Sequence, residues 1–147
     1  MPEIWPDLAG RIVGGVHVLP VRVYYEDTDF SGAVYHANYL KFCERGRSDC
    51  LRLLGIRHHL MDGTGFVVRR MICDFLKPAR IDDLLEVETR FGSRGGARIE
   101  LTQTVKRAGD NQFAAQVTVA LVDGRGRPKR LPKDMAELLE FHPESGS

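Results

Sequence analysis

One change of period constrains this chain more than any other feature. From Asn38 to Leu54, apolar positions recur at three- and four-residue steps: Tyr39, Phe42, Cys43, Gly46, Cys50, Leu51 and Leu54. Arg45, Arg47, Asp49 and Arg52 take much of the opposite side. That pattern predicts an amphipathic helix of several turns. Beyond the loop around residues 61–65 the period drops to two. Leu85, Val87, Thr89 and Phe91 alternate with Glu86, Glu88 and Arg90, and Ile99, Leu101, Gln103 and Val105 alternate with Arg98, Glu100, Thr102 and Thr104. Strict alternation marks strands with one dry and one wet face.

Strand-like segments are expected at 66–75, 84–91, 98–106 and 113–122, with an earlier one at 21–26, VRVYYE. The last, FAAQVTVALV, is apolar on both faces and suits an interior or interface position. GSRGGA and RAGDNQ supply turns, and LPKDMAELLEF reads as a short closing helix with Pro132 near its start. Asn38 suits a helix cap, and Gly55 suits the left-handed residue that ends a helix. Gly46 inside the helix costs about 1 kcal/mol against Ala, so a close approach to another backbone is expected there. One helix with five successive antiparallel strands is an α+β layout. The helix covers one sheet face, and pairing of two copies is the ordinary way to cover what stays bare. An irregular lead-in over 1–17 and a frayed end over 142–147 flank a single domain over 18–141.

Composition narrows the function classes. The chain has 147 residues, 43% hydrophobic and 28% charged, which is globular rather than disordered. Its 21 basic and 20 acidic residues balance to +1, which speaks against bulk nucleic-acid or membrane-surface binding. Three Cys cannot all pair within one chain, and their number fits reduced thiols in a cytoplasmic protein. No apolar run approaches the roughly 18 residues of a membrane span. The first residues, MPEIWPDLAGR, are acidic where a secretory leader is basic.

Reactive residue types crowd into YYEDTDFSGAVYHANYLKF, 24–42. Glu26, Asp27 and Asp29 share one loop, and the backbone of 32–36 leads into the helix N-terminus. Unpaired N–H groups there suit a carbonyl oxygen becoming an oxyanion, and a nearby carboxylate could attack the carbonyl carbon or activate water. The residue types alone equally fit turn hydrogen bonds from Asp27 and Asp29 and a cap at His36.

The string VRVYYEDTDFSGAVYHANYLKFCERGRSDCLR resembles the acyl-CoA thioesterases of the hot-dog fold. It is most similar to the branch associated with the bacterial Tol–Pal system, related to 4-hydroxybenzoyl-CoA thioesterase. FVVRRM, PARIDDLLEVET and PKRLPKDM match the same branch, so the resemblance covers about residues 20–135. It implies a long central helix wrapped by a five-stranded antiparallel sheet, and hydrolysis of acyl-CoA to free acid and CoA. It implies Asp29 as the carboxylate that attacks the thioester or activates water. His36 is implied as the residue whose backbone amide faces the thioester oxygen, and Gly32 as a loop position close to substrate. Tyr35 and Asn38 belong to the motif; Asn38 is read as structural, Tyr35 as structural or lining the substrate pocket with Phe30 and Phe66, and Asp27 as loop support. Phe30 and Ser31 depart from the small residues expected after the second Asp. Lys77, Arg94 and the run 125–130 are candidates to meet the CoA phosphates. The resemblance further implies a homodimer or homotetramer, an acyl carrier protein or Tol–Pal-related partners, and no cofactor or metal beyond the CoA of the substrate.

Other constellations weigh less. Cys43 and Cys50 fall on the apolar helix face and read as core. Cys73 lies in a strand with no evident partner, and no Cys-x-x-Cys pair suggests zinc. His58-His59 alone make no site. GSRGGAR lacks the ending of a phosphate-binding loop, and no Gly-x-Ser-x-Gly elbow exists. Two rival readings remain at this level: a hydratase or dehydratase of the same fold acting on acyl thioesters, and a non-catalytic acyl-CoA or acyl-carrier binding module.

Overall fold

The computed structural model describes residues 9–56 and 63–140. Strands β1 (Arg11–Val13) and β2 (Val16–Arg22) come first, followed by a 3-10 turn at Tyr25–Asp27. Helix α1 (His36–Leu53) precedes β3 (Gly65–Phe75), β4 (Leu84–Gly95), β5 (Arg98–Arg107) and β6 (Asp110–Val122), and α2 (Lys133–Leu138) closes the described chain. All six strands form one antiparallel sheet in the order β1-β2-β4-β5-β6-β3.

The expected α+β architecture is present, with two corrections before the helix. The lead-in read as irregular over 1–17 contains β1 and the start of β2, so the sheet has a sixth, three-residue edge strand. The β1–β2 turn is Gly14-Gly15, both in the left-handed region, and this Gly pair conceals a tight hairpin in a segment without period. The strand expected over 21–26 ends at Arg22 instead, because Tyr25–Asp27 coil into the 3-10 turn. The frayed end at 142–147 and His58-His59 lie outside the described residues, as does most of the loop before β3.

α1 starts two residues earlier than its apolar period. Tyr35 is the N-cap, and Asn38 sits inside the first turn rather than capping it. Gly55 follows the C-cap in the left-handed region, where its amide bonds the Arg52 carbonyl. The helix lies chiefly across β2, β4 and β5. Its apolar stripe of Tyr39, Phe42 and Cys43 packs on the alternating inner residues Leu85, Val87, Ile99, Leu101 and Val105, and Cys50 further along the helix is also fully buried. Burial pushes the Cys43 and Cys50 thiols up to about 12, consistent with core residues.

The helix does lie tight against the sheet at Gly46, but on side chains rather than on the backbone expected there: a Cβ would come within 2.9 Å of Val87 Cγ1. The buried Gln103 side chain crosses at the same level, donating to the Cys43 carbonyl and to Thr89 Oγ1 and accepting from Arg47. Gly46→Val therefore drives a branched side chain into the sheet. The expected loss is about 1–3 kcal/mol, read as a lowered urea midpoint with an unchanged m-value.

The outer face of β5 carries Arg98, Glu100, Thr102, Thr104 and Lys106 and is polar. The bare apolar surface lies instead on β3, an eleven-residue edge strand where Val67, Val68, Ile72 and Phe75 are each 40% exposed or more. β6 lies between β5 and β3, the interior position its two apolar faces predict.

Candidate active site at the start of the central helix

The loop that follows the 3-10 turn is a tight hairpin. Thr28 bridges Val34, the Asp29 amide donates to the Ala33 carbonyl, and the Gly32 amide donates to the Asp29 carbonyl. Gly32 sits at φ +84°, a conformation L side chains rarely adopt, so backbone geometry explains this glycine without invoking close substrate contact. A second bridge, Ala33 to Arg80, and the Val34 amide bonding the Ala79 carbonyl tie the hairpin to the loop before β4.

Asp29 stands at the hairpin corner with its side chain in solvent. The Ser31 hydroxyl and then the Ser31 amide donate to its Oδ1 and hold the carboxyl below the usual carboxylate range. His36 lies near enough to add a smaller pull in the same direction. Asp29 is thus ionised at neutral pH beside the first residue of α1. The amides of His36 and Ala37 find no backbone acceptor among the described residues, whereas Tyr35 donates to the Asp27 carbonyl and Asn38 to that of Tyr35. An eighteen-residue helix thus presents its positive end and free N–H groups beside an anionic side chain.

Aromatic packing fixes the height of that helix end. Tyr39 stacks on Phe113 with ring centroids 5.2 Å apart, and Phe75 meets Phe113 edge-on at 5.1 Å. The His36 ring then sits edge-on to Phe75 at 6.0 Å and against Tyr35 at 4.5 Å. The Tyr39 hydroxyl accepts from the Ala79 amide and donates to the Lys77 carbonyl. Burial pushes this phenol upward, so it stays a protonated donor. A cleft of about 250 Å³ opens here, lined by Val34, His36, Tyr39, Phe75, Lys77 and Pro78.

Asp29, Gly32, Tyr35, His36 and Lys77 are therefore gathered at one end of the molecule. Arg94 is not: it pairs with Glu140 and lies in the row Arg94–Ile99–Val119–Val68, far along the sheet from Phe75. The run 125–130 follows β6 at that same far end, folded around Asp123. Phe30 is fully exposed and lines nothing within one protomer. Phe66 lines a second cleft of about 290 Å³ beside Arg47 and Leu51, further along the seam between α1 and β3. The sequence alone assigns no site role to Ser31, Tyr39 or Phe75. Asp-x-Ser is a recognisable signal for a side chain bonding a nearby backbone amide, but Phe75 becomes legible only once β3 runs beside the helix. Among the described residues no three His, Cys, Asp or Glu side chains gather as a metal site, and no helix is long and apolar enough to cross a membrane.

Residues 31–114 match the family model of the thioesterase superfamily. The chain belongs to the thioesterase superfamily. It has that superfamily's hot-dog fold, and it is a thioester hydrolase by descent. This thioesterase is 41% identical over 124 residues to the acyl-CoA thioester hydrolase YbgC of Escherichia coli O6:H1, covering 79% of this chain and 90% of the relative. It is 42% identical over 120 residues to the acyl-CoA thioesterase YbgC of Haemophilus influenzae, covering 79% and 88%. The crystal structure of a probable thioesterase from Bartonella henselae superposes with a TM-score of 0.76 at 44% identity, over 80% of this chain and 99% of that one.

Proposed function

We propose that this thioesterase hydrolyses acyl-CoA to a free acid and CoA, with Asp29 as the attacking or water-activating carboxylate and the His36 amide as the oxyanion donor. One observation carries the assignment: the ionised Asp29 carboxylate beside the free first-turn amides of α1. A thioester carbonyl is electrophilic and its thiolate leaves readily. A carboxylate and a pre-aligned N–H dipole therefore suffice, without a metal. Relatives bearing the names acyl-CoA thioester hydrolase and acyl-CoA thioesterase support the substrate class. Tyr35 and the cleft beside Phe75 would flank the acyl group, and Gly32 supports the loop.

The functional unit is a homodimer built on the β3 edge. A long, unpaired, apolar strand is a pairing surface, and the opposite edge, β1, is only three residues long. Antiparallel pairing of β3 with its copy would carry the far end of one protomer to the His36 end of the other. Arg94 and the run 125–130 would then converge with Lys77 on the CoA phosphates, although they are remote from Lys77 within one chain. A cytoplasmic location, an acyl carrier protein as an alternative thioester donor and Tol–Pal-related partners follow from the family resemblance. The test is thiol release from short, long and aromatic acyl-CoAs, with mass measured in solution. Hydrolysis of at least one class by a dimer or tetramer is expected. Absence of hydrolysis across the panel sinks the activity, and an active monomer sinks the shared site.

A further inference from the structure

We infer that Asp27 and Asn38 form a positioning clamp that sets the reactive loop against the start of α1. This rests on the proposed thioester hydrolysis at Asp29. Asp27 is 4% exposed and Asn38 is 7% exposed. Asp27 Oδ2 accepts the Tyr24 amide at 2.8 Å, and its Oδ1 accepts Asn38 Nδ2 at 2.9 Å. The Asp27 carbonyl accepts the Tyr35 amide at 2.9 Å. Buried Asp27 thus ties three points: its carboxylate holds the entry to the 3-10 turn and the first turn of α1, and its backbone carbonyl holds the N-cap of that helix. Asp29 lies just beyond Asp27, and His36 just before Asn38. The clamp spans the base of the gap across which the carboxylate and the oxyanion donor must face one thioester. Neither clamp side chain reaches the cleft, so neither touches substrate. Their effect is on distance, and a displacement near 1 Å at a reacting pair costs about a hundredfold in rate.

The chemistry of the pair makes the idea separable from a catalytic or a purely structural role. Asp27→Asn keeps both bonds: its Oδ1 accepts from Tyr24, and its Nδ2 donates to Asn38 once that amide turns over. Asp27→Ala loses both bonds, and Asn38→Asp sets two buried carboxylates face to face. The exchange Asp27→Asn with Asn38→Asp restores one donor opposite one acceptor. The measurements are kcat and KM on the best acyl-CoA of the panel, with melting temperature alongside. Asp27→Asn and the exchange variant are expected within about threefold of wild-type kcat. Asp27→Ala and Asn38→Asp are expected to lose about ten- to a hundredfold in kcat with KM little changed. A loss in Asp27→Asn as deep as that of Asp29→Asn overturns the proposal, because it makes the Asp27 charge catalytic. Full kcat in a folded Asp27→Ala also overturns it. So does an exchange variant that remains as slow as Asn38→Asp or fails to fold. A wild-type protein inactive on every acyl-CoA refutes the proposed function instead, before any variant is compared.

Discussion

Asp29→Asn is expected to lower kcat on acyl-CoA by about 10²–10⁴-fold while leaving the melting temperature unchanged. The side chain is in solvent and its hydrogen bonds are local to its own turn, so nothing in the core depends on it. What is lost is the anion beside the helix start. The wild-type pH profile carries the same information. Ser31 bonding holds the carboxyl below its usual value, so activity should stay level as pH falls to about 4, and decline only below that as the carboxylate gains a proton. Ser31→Ala removes the larger of the two Ser31 contributions and should move that acid limb to higher pH. Equal rates for Asp29→Asn and wild type would remove this residue from the mechanism.

Asp49→Ala should produce the largest loss of stability among single polar changes, about 2–4 kcal/mol. Asp49 lies on α1 and faces the N-terminal hairpin. Its Oδ2 accepts from His17 Nε2 at 2.7 Å and from the Gly10 amide at 2.9 Å, while Arg52 donates to its Oδ1. His17 is fully buried, and its Nδ1 already has no partner among the described residues, so losing Asp49 strands the whole ring. Gly10 is confined too: a Cβ there would sit 2.3 Å from the Val18 carbonyl oxygen. Burial alone would raise the Asp49 carboxyl, but the bonds from His17, Gly10 and Arg52 outweigh it and leave it below its usual value. A lowered folded-state value means the unfolded chain binds the proton more readily. The stabilisation is therefore complete above about pH 4 and fades as acid protonates the folded carboxyl. Urea midpoints measured from pH 7 downward should show a larger acid-side loss in wild type than in Asp49→Asn. Parallel profiles would refute the linkage.

Much of the fold was legible because its signals are local. Leu85, Val87 and Ile99 alternate with charges because a one-sided sheet demands it, and Gly46 announces a close contact because a helix tolerates glycine there only for a reason. The early hairpin was hidden because Gly14-Gly15 carries no period and β1 is too short to show one. Asn38 was misplaced as a cap because its residue type suits both a cap and a buried donor, and only the position of Asp27 decides between them. Arg94 and Lys77 were equivalent as sequence, whereas the sheet register separates them by most of a strand's length.

What the amino-acid order determined alone was the period of each element, the turn chemistry between them, and a carboxylate held a few residues before a helix start. Those follow from side-chain geometry within a few neighbouring residues. Tertiary structure decided that Phe75 and Phe113 set the level of His36, that Asp27 clasps Asn38, and that β3 lies at an open edge. These depend on which strands become neighbours, and that is settled by burying the apolar faces together rather than by any one segment's own preference.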